Sequence, residues 1–267
     1  MTEAEFLDAL KSTDAVRCEA VLLAFQEGTV QASEASIDAF VHLLAAPTKS
    51  VRRRAAGALA KSLAAGLGEA PLAAALSNRN PLRRWGAVFA SAEAGRTDES
   101  TYSGALDALA SEDGDVRWAA AEIVRRLSLT HDPNGRALAR LASSESSHAR
   151  KMALYCMRDL GCSEAEVLST ALADEVAFVR LAALAAVSHF QRAGGPMLRL
   201  IEGLLMADPD PGVQRAAATV LGTLGGGDSA AIAALEAASE DSDTSLAKAA
   251  TGALARVRAE AETPDKL

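Results

Sequence analysis

One plan recurs along this chain about every 33 residues, and a fixed period of that length restricts the fold more than any other feature. It is clearest at Asp113–Ser128, DGDVRWAAAEIVRRLS. Asp113 and Asp115 stand where a helix would begin, with carboxylates near the positive end of its dipole. Val116, Ala120, Ile123, Val124 and Leu127 then form one apolar stripe at helical spacing. Taking Val116 as the anchor, the matching positions are Val16, Val51, Leu82, Ala149, Val179, Val213 and Leu246, in steps of 35, 31, 34, 33, 30, 34 and 33 residues. An arginine follows six anchors: Arg17, Arg52, Arg83, Arg117, Arg150 and Arg180. Four places past each anchor lies Ala or Gly, and eight places on an apolar side chain usually returns.

Shorter amphipathic segments separate these helices, at 37–44, 102–109, 137–141, 197–205 and 232–235. Each unit therefore reads as a helical hairpin. Stacked hairpins bury a continuous core in which each unit touches its neighbours. The expected fold is all-α, an alpha-alpha superhelix (solenoid) of about eight hairpins. It is expected to fill residues 1–259 as one elongated domain, with residues 260–267 as a disordered tail. Composition agrees: 49% of residues are hydrophobic but only 4% aromatic, as in an alanine- and leucine-rich helical stack. Pro47, Pro81, Pro133, Pro196, Pro209 and Pro211 fall at expected turns or helix starts, where a missing N–H costs little.

The run Asp208, Asp210, Val213, Ala216, Ala217, Leu221 and Gly222 resembles a HEAT repeat. More narrowly, it is similar to the short alanine-rich HEAT-like repeat named after the phycobilin (phycobilisome) lyases. The resemblance implies that the second helices of the hairpins line a concave groove. It also implies that the arginine after each anchor joins a ladder with acids of neighbouring turns. Asp174 and Asp208 flank Arg180 suitably, whereas Gln214 and Ala247 should end the ladder.

On a helix whose core side lies at the anchor and at +4, +7, +8 and +11, the positions +2, +5, +6 and +9 point away. Position +2 reads Arg53, Arg84, Trp118, Lys151 and Leu181; Glu122 and Tyr155 stand at +6, Arg125 and Arg158 at +9, and Leu154 and Leu184 at +5. The candidate partner-binding face is thus Arg53, Arg84, Trp118, Glu122, Arg125, Lys151, Tyr155, Arg158 and Leu181. Trp, Tyr and Arg are the side chains enriched at binding hot spots.

Net charge is −8, unevenly distributed. Residues 1–38 hold eight acids and two bases, residues 228–267 eight acids and four bases, and residues 49–84 eight bases and one acid, Glu69. The basic stretch could attract an anionic partner. The acidic total argues against nucleic acid. The amino terminus, MTEAEFLDALK, lacks the pattern of a signal peptide, and no apolar run is long enough to span a membrane. Cys18, Cys156 and Cys162 form no metal-like pair and no even disulfide set, so a bacterial-type, reducing, cytoplasmic setting is expected. Cys156 is expected in the core and Cys162 in an exposed turn.

The four histidines sit in different repeats with no paired His-Glu step, and no nucleophile–base arrangement or phosphate loop can be assembled. No catalytic residue, metal or cofactor is expected. The leading expectation is a non-catalytic protein-binding scaffold or adaptor holding an acidic protein segment with an apolar anchor. The resemblance supports an alternative, a bilin lyase-like or tetrapyrrole-handling chaperone subunit. A bilin's apolar plate and two propionates suit Trp118 and Tyr155 beside Arg84, Arg125, Lys151 and Arg158.

Overall fold

The computed structural model describes residues 1–162, 164–191 and 194–261. The described residues are all-helical and form sixteen helices in eight hairpins. They are α1 (Glu3–Leu10) with α2 (Ala15–Gln26), α3 (Glu34–Leu43) with α4 (Lys49–Ala64), α5 (Glu69–Leu76) with α6 (Pro81–Glu93), and α7 (Glu99–Ala108) with α8 (Gly114–His131). There follow α9 (Arg136–Leu141) with α10 (Ser147–Leu160), α11 (Ala165–Leu172) with α12 (Ala177–Phe190), α13 (Gly195–Ala207) with α14 (Pro211–Leu224), and α15 (Ser229–Ser239) with α16 (Thr244–Ala261). This is the expected alpha solenoid. The tail expected to be disordered falls mostly outside the described residues, beyond Ala261.

The helices begin where side-chain acceptors stand. Asp14, Asn80, Asp113, Ser146 and Asp210 each take backbone N–H bonds from the first turn of a second helix. Pro81 and Pro211 occupy first helical positions, where no hydrogen bond is lost. Gly161 closes α10 in the left-handed region at φ 69°, a conformation that a Cβ would disfavour.

Two compact units emerge, Met1–Pro133 and Asn134–Leu267. In the first, α2, α4, α6 and α8 pack side by side, and so do α1, α3, α5 and α7. In the second, α10, α12, α14 and α16 make the corresponding layer, against α11, α13 and α15. Each unit has its own core. The first is keyed by Phe6, Phe25 and Phe40, whose ring centroids lie 4.9–6.3 Å apart. The second is aliphatic, built from residues such as Leu172, Val187, Ile201, Leu221 and Leu235. Cys156 is buried, as expected, while Cys162 is half-buried rather than exposed.

The repeat register differs from the sequence expectation in two hairpins. Val16 is 76% exposed and Leu82 39% exposed, so neither is a core anchor. Counting four residues from each N-cap restores the alignment: Thr48 to Arg52, Asn80 to Arg84, Asp113 to Arg117, Ser146 to Arg150, and Asp14 to Cys18. The third anchor is therefore Arg83, and its followers at +4 and +8 are Ala87 and Ser91, both buried. Ser91 is tolerated in the core because its hydroxyl meets that of Thr101 at 2.7 Å. Leu154 and Leu184, expected to point away from the core, are buried. Each second helix packs on neighbouring second helices as well as on its own hairpin partner, so its buried arc extends to position +5.

Candidate functional site

The arginines four residues past the N-caps are structural. Each donates from Nη1 to the carbonyl six residues upstream: Arg52 to Ala46 (2.8 Å), Arg84 to Asn78 (3.0 Å), Arg117 to Ser111 (2.6 Å), Arg150 to Ser144 (3.0 Å) and Arg180 to Asp174 (2.8 Å). They satisfy carbonyls left over in the preceding connection. Cys18 does the same in the first hairpin, its Sγ donating to Ser12 O at 3.2 Å. In the second unit the guanidinium fork also grips the next repeat. Arg150 holds both carboxylate oxygens of Asp174, and Arg180 both of Asp208. Burial pushes the Asp174 carboxyl up, but the Arg150 hydrogen bonds, the Val176 N–H and the charges of Arg150 and Arg180 outweigh it and hold the pKa below the usual range.

Arg84 thus leaves the predicted binding face. At the corrected register, position +2 holds Trp85 and +6 holds Phe89, two aromatics the sequence reading passed over. The signal for them is the Asn80–Pro81 helix start, one residue later than the anchor spacing implied. Trp85 and Phe89 pack together at 5.9 Å between centroids. With Arg53, Leu82, Val116 and Ala119 they line a small pocket of about 80 Å³ where α4, α6 and α8 meet. Lys49 of α4 bonds Asp115 at the start of α8 and lies 3.8 Å from Asp113, so the second and fourth hairpins meet across the third. The Lys49 hydrogen bond and charge hold the Asp115 carboxyl below its usual pKa.

The other predicted residues of the first unit lie on α8. Trp118 is 57% exposed, and Arg125 pairs with Glu122 one turn away. In the second unit, Lys151, Tyr155 and Arg158 do come together. The Lys151 ammonium sits 5.6 Å from the Tyr155 ring and 5.5 Å from the Phe178 ring, and the Arg158 guanidinium lies 5.1 Å from Tyr155. Phe178 also stacks on His148. Leu181, one turn beyond Phe178 on α12, is half-buried. Among the described residues no hydrogen bond or ion pair reserves Lys151 for another group.

The basic stretch is mostly committed internally. Arg52 and Arg84 hold carbonyls, Lys61 donates to Phe25 O and Gln26 O, Lys49 takes Asp115, and Arg54 lies 3.9 Å from Glu19. Among the described residues no cluster of three or more His, Cys, Asp or Glu could hold a metal ion, and no helix is long and apolar enough to cross a membrane.

Comparison with known proteins agrees with this architecture. HEAT repeats are recognised by their sequence profile in residues 198–267. No curated protein sequence matches the chain. Among solved structures, Escherichia coli YibA is similar over 97% of this chain and 93% of its own, with a TM-score of 0.59 and 14% identity. A Kap121p mutant is similar over 95% of this chain but 37% of its own, with a TM-score of 0.52 and 13% identity. Human deoxyhypusine hydroxylase, crystallised with glycerol, aligns over 96% of each chain at 17% identity, with a TM-score of 0.41. At such identities the likeness to YibA and to Kap121p concerns fold. Residues 198–267 match the HEAT-repeat profile, and the described residues as a whole have the fold of an alpha solenoid.

Proposed function

We propose that this protein is a non-catalytic binding scaffold that recognises acidic protein segments carrying an apolar anchor. The observation that carries the reading is the cation–aromatic cluster on α10 and α12. Lys151 and Arg158 are held against Tyr155 and Phe178 before any partner arrives. Ordered side chains lose little entropy on binding, which favours recognition. A carboxylate would meet the ammonium, and an apolar anchor would meet the faces of Tyr155 and Phe178 and the flank of Leu181. On the first unit, Trp118, Arg53, Trp85 and Phe89 offer a second face of the same character.

Internal use of most cations in residues 49–84 weighs against nucleic acid, whose affinity comes largely from phosphate neutralisation. The test is capture of partners from the native host by the wild-type protein, repeated with Trp118→Ala and Lys151→Glu. Lys151→Glu should lose most capture and Trp118→Ala part of it, with helicity by circular dichroism unchanged. Both variants retaining the same partners at wild-type yield would refute the assignment.

A further inference from the structure

The first unit contains a second concavity, away from the aromatic pair. It lies between the turn joining α1 to α2 and the carboxyl end of α3, and it measures about 860 Å³. That is the size of a small-molecule pocket. Its walls are largely apolar, from Leu10, Ala39, Leu43, Pro47 and Val51, with Lys11 and Asp38 exposed among its lining residues. Arg83 completes the lining.

Arg83 occupies the anchor position of its repeat. The same position is apolar in Val51, Val116, Ala149, Val179, Val213 and Leu246; in the first hairpin it is Arg17, which is exposed and pairs with Asp8. Its neighbour Arg84 performs the structural duty of the repeat, so Arg83 is a second arginine without that task. The Nε of Arg83 is buried and has no hydrogen-bond partner, and no ion pair to Arg83 occurs among the described residues. A buried, unsatisfied guanidinium nitrogen is costly, and the register offers an apolar residue as the cheaper choice. The pocket supplies no anion of its own at depth. Asp38 is exposed, and Cys18 is a thiol that donates to Ala9 O and Ser12 O. Burial pushes that thiol's pKa up, which keeps it neutral.

We infer that this cavity binds a small organic carboxylate with an aliphatic body. The Arg83 guanidinium pairs with a carboxylate through its terminal Nη atoms, since Nε itself is closed off, while the apolar walls take the chain. The site does not depend on the protein-binding faces described above.

Isothermal titration calorimetry of the full chain with hexanoate and with hexanamide tests the idea. Hexanoate should bind saturably and at least tenfold more tightly than hexanamide, which has the same chain and no charge. Arg83→Leu, which restores the apolar type of six other anchors, should lower hexanoate affinity at least tenfold. Arg79→Leu, which removes an exposed charge from the same hairpin, should not. Ala39→Trp fills the cavity while leaving Arg83 in place, so it should also block hexanoate even if Arg83→Leu fails to fold. Equal affinity for the two ligands, absence of saturable hexanoate binding, or wild-type affinity in Ala39→Trp would overturn the assignment.

Discussion

Asp174 shows how one side chain can fasten two repeats. Its carboxylate accepts two hydrogen bonds from Arg150 and one from the Val176 N–H, while its own carbonyl receives Arg180. The Arg150 and Asp174 side chains are only about a tenth exposed, at 11% and 9%. Removing one partner of such a pair leaves a buried charge uncompensated, so Asp174→Ala should cost about 3 kcal/mol at neutral pH. The folded-state pKa of Asp174 lies below its ordinary value. Its charge therefore stabilises the fold above the unfolded carboxylate value of about 3.9, and the benefit is lost as pH falls through the lower, folded value. Denaturant unfolding at pH 7 and pH 3 should show a larger wild-type advantage at the first than at the second. An equal gap at both would mean that the pair contributes through packing, not charge. The ladder partners of Arg180 were readable from the sequence because two acids stood at matching offsets. The roles of Arg83 and Arg84 were not. Two adjacent arginines are equivalent to a periodicity argument, and only the N-cap at Asn80 distinguishes the one that reaches back to a carbonyl.

Whole helices obey a second constraint, close approach. A Cβ on Gly222 of α14 would stand 2.6 Å from Ala253 Cβ and 2.7 Å from Ala253 Cα of α16. Replacing Gly by Ala inside a helix gains about 1 kcal/mol in propensity. Here the obstacle is backbone as well as side chain, and overpacking of this kind costs about 1–3 kcal/mol. Gly222→Ala should therefore lower stability by about 1 kcal/mol, seen as a lower thermal midpoint, whereas Gly203→Ala on α13 should raise it because a Cβ there meets nothing within 4 Å. A higher midpoint for Gly222→Ala would show that α14 and α16 can separate at little cost. Helix number and pairing followed from the period and the turn residues, since both are local signals. Which face each helix buries did not follow wholly. Leu154 and Leu184 are sealed by neighbouring second helices, a contact that one helix's own stripe does not reveal. Trp85 and Phe89 escaped notice for a related reason: a slip of one residue rotates a helix by about 100°, enough to exchange one face for another.

A repeat protein transmits stability chiefly between adjacent hairpins. In this molecule that rule has a sharper form, because the described chain divides into two compact units with separate cores. Asp174→Ala and Gly222→Ala both weaken contacts inside the second unit, in the seams from α10 to α12 and from α14 to α16. Local opening should then become easier for the amides of that unit while the first keeps its own protection. Hydrogen exchange followed by mass spectrometry is the measurement. In either variant, peptides from α10 through α16 should exchange faster, and peptides covering the Phe6, Phe25 and Phe40 core should exchange at the wild-type rate. The converse substitution, Phe40→Ala, removes a fully buried ring from the first unit and should produce the mirror pattern. If all three variants accelerate exchange uniformly along the chain, the eight hairpins open as one cooperative body, and the binding faces of the two units would have to be treated as energetically coupled.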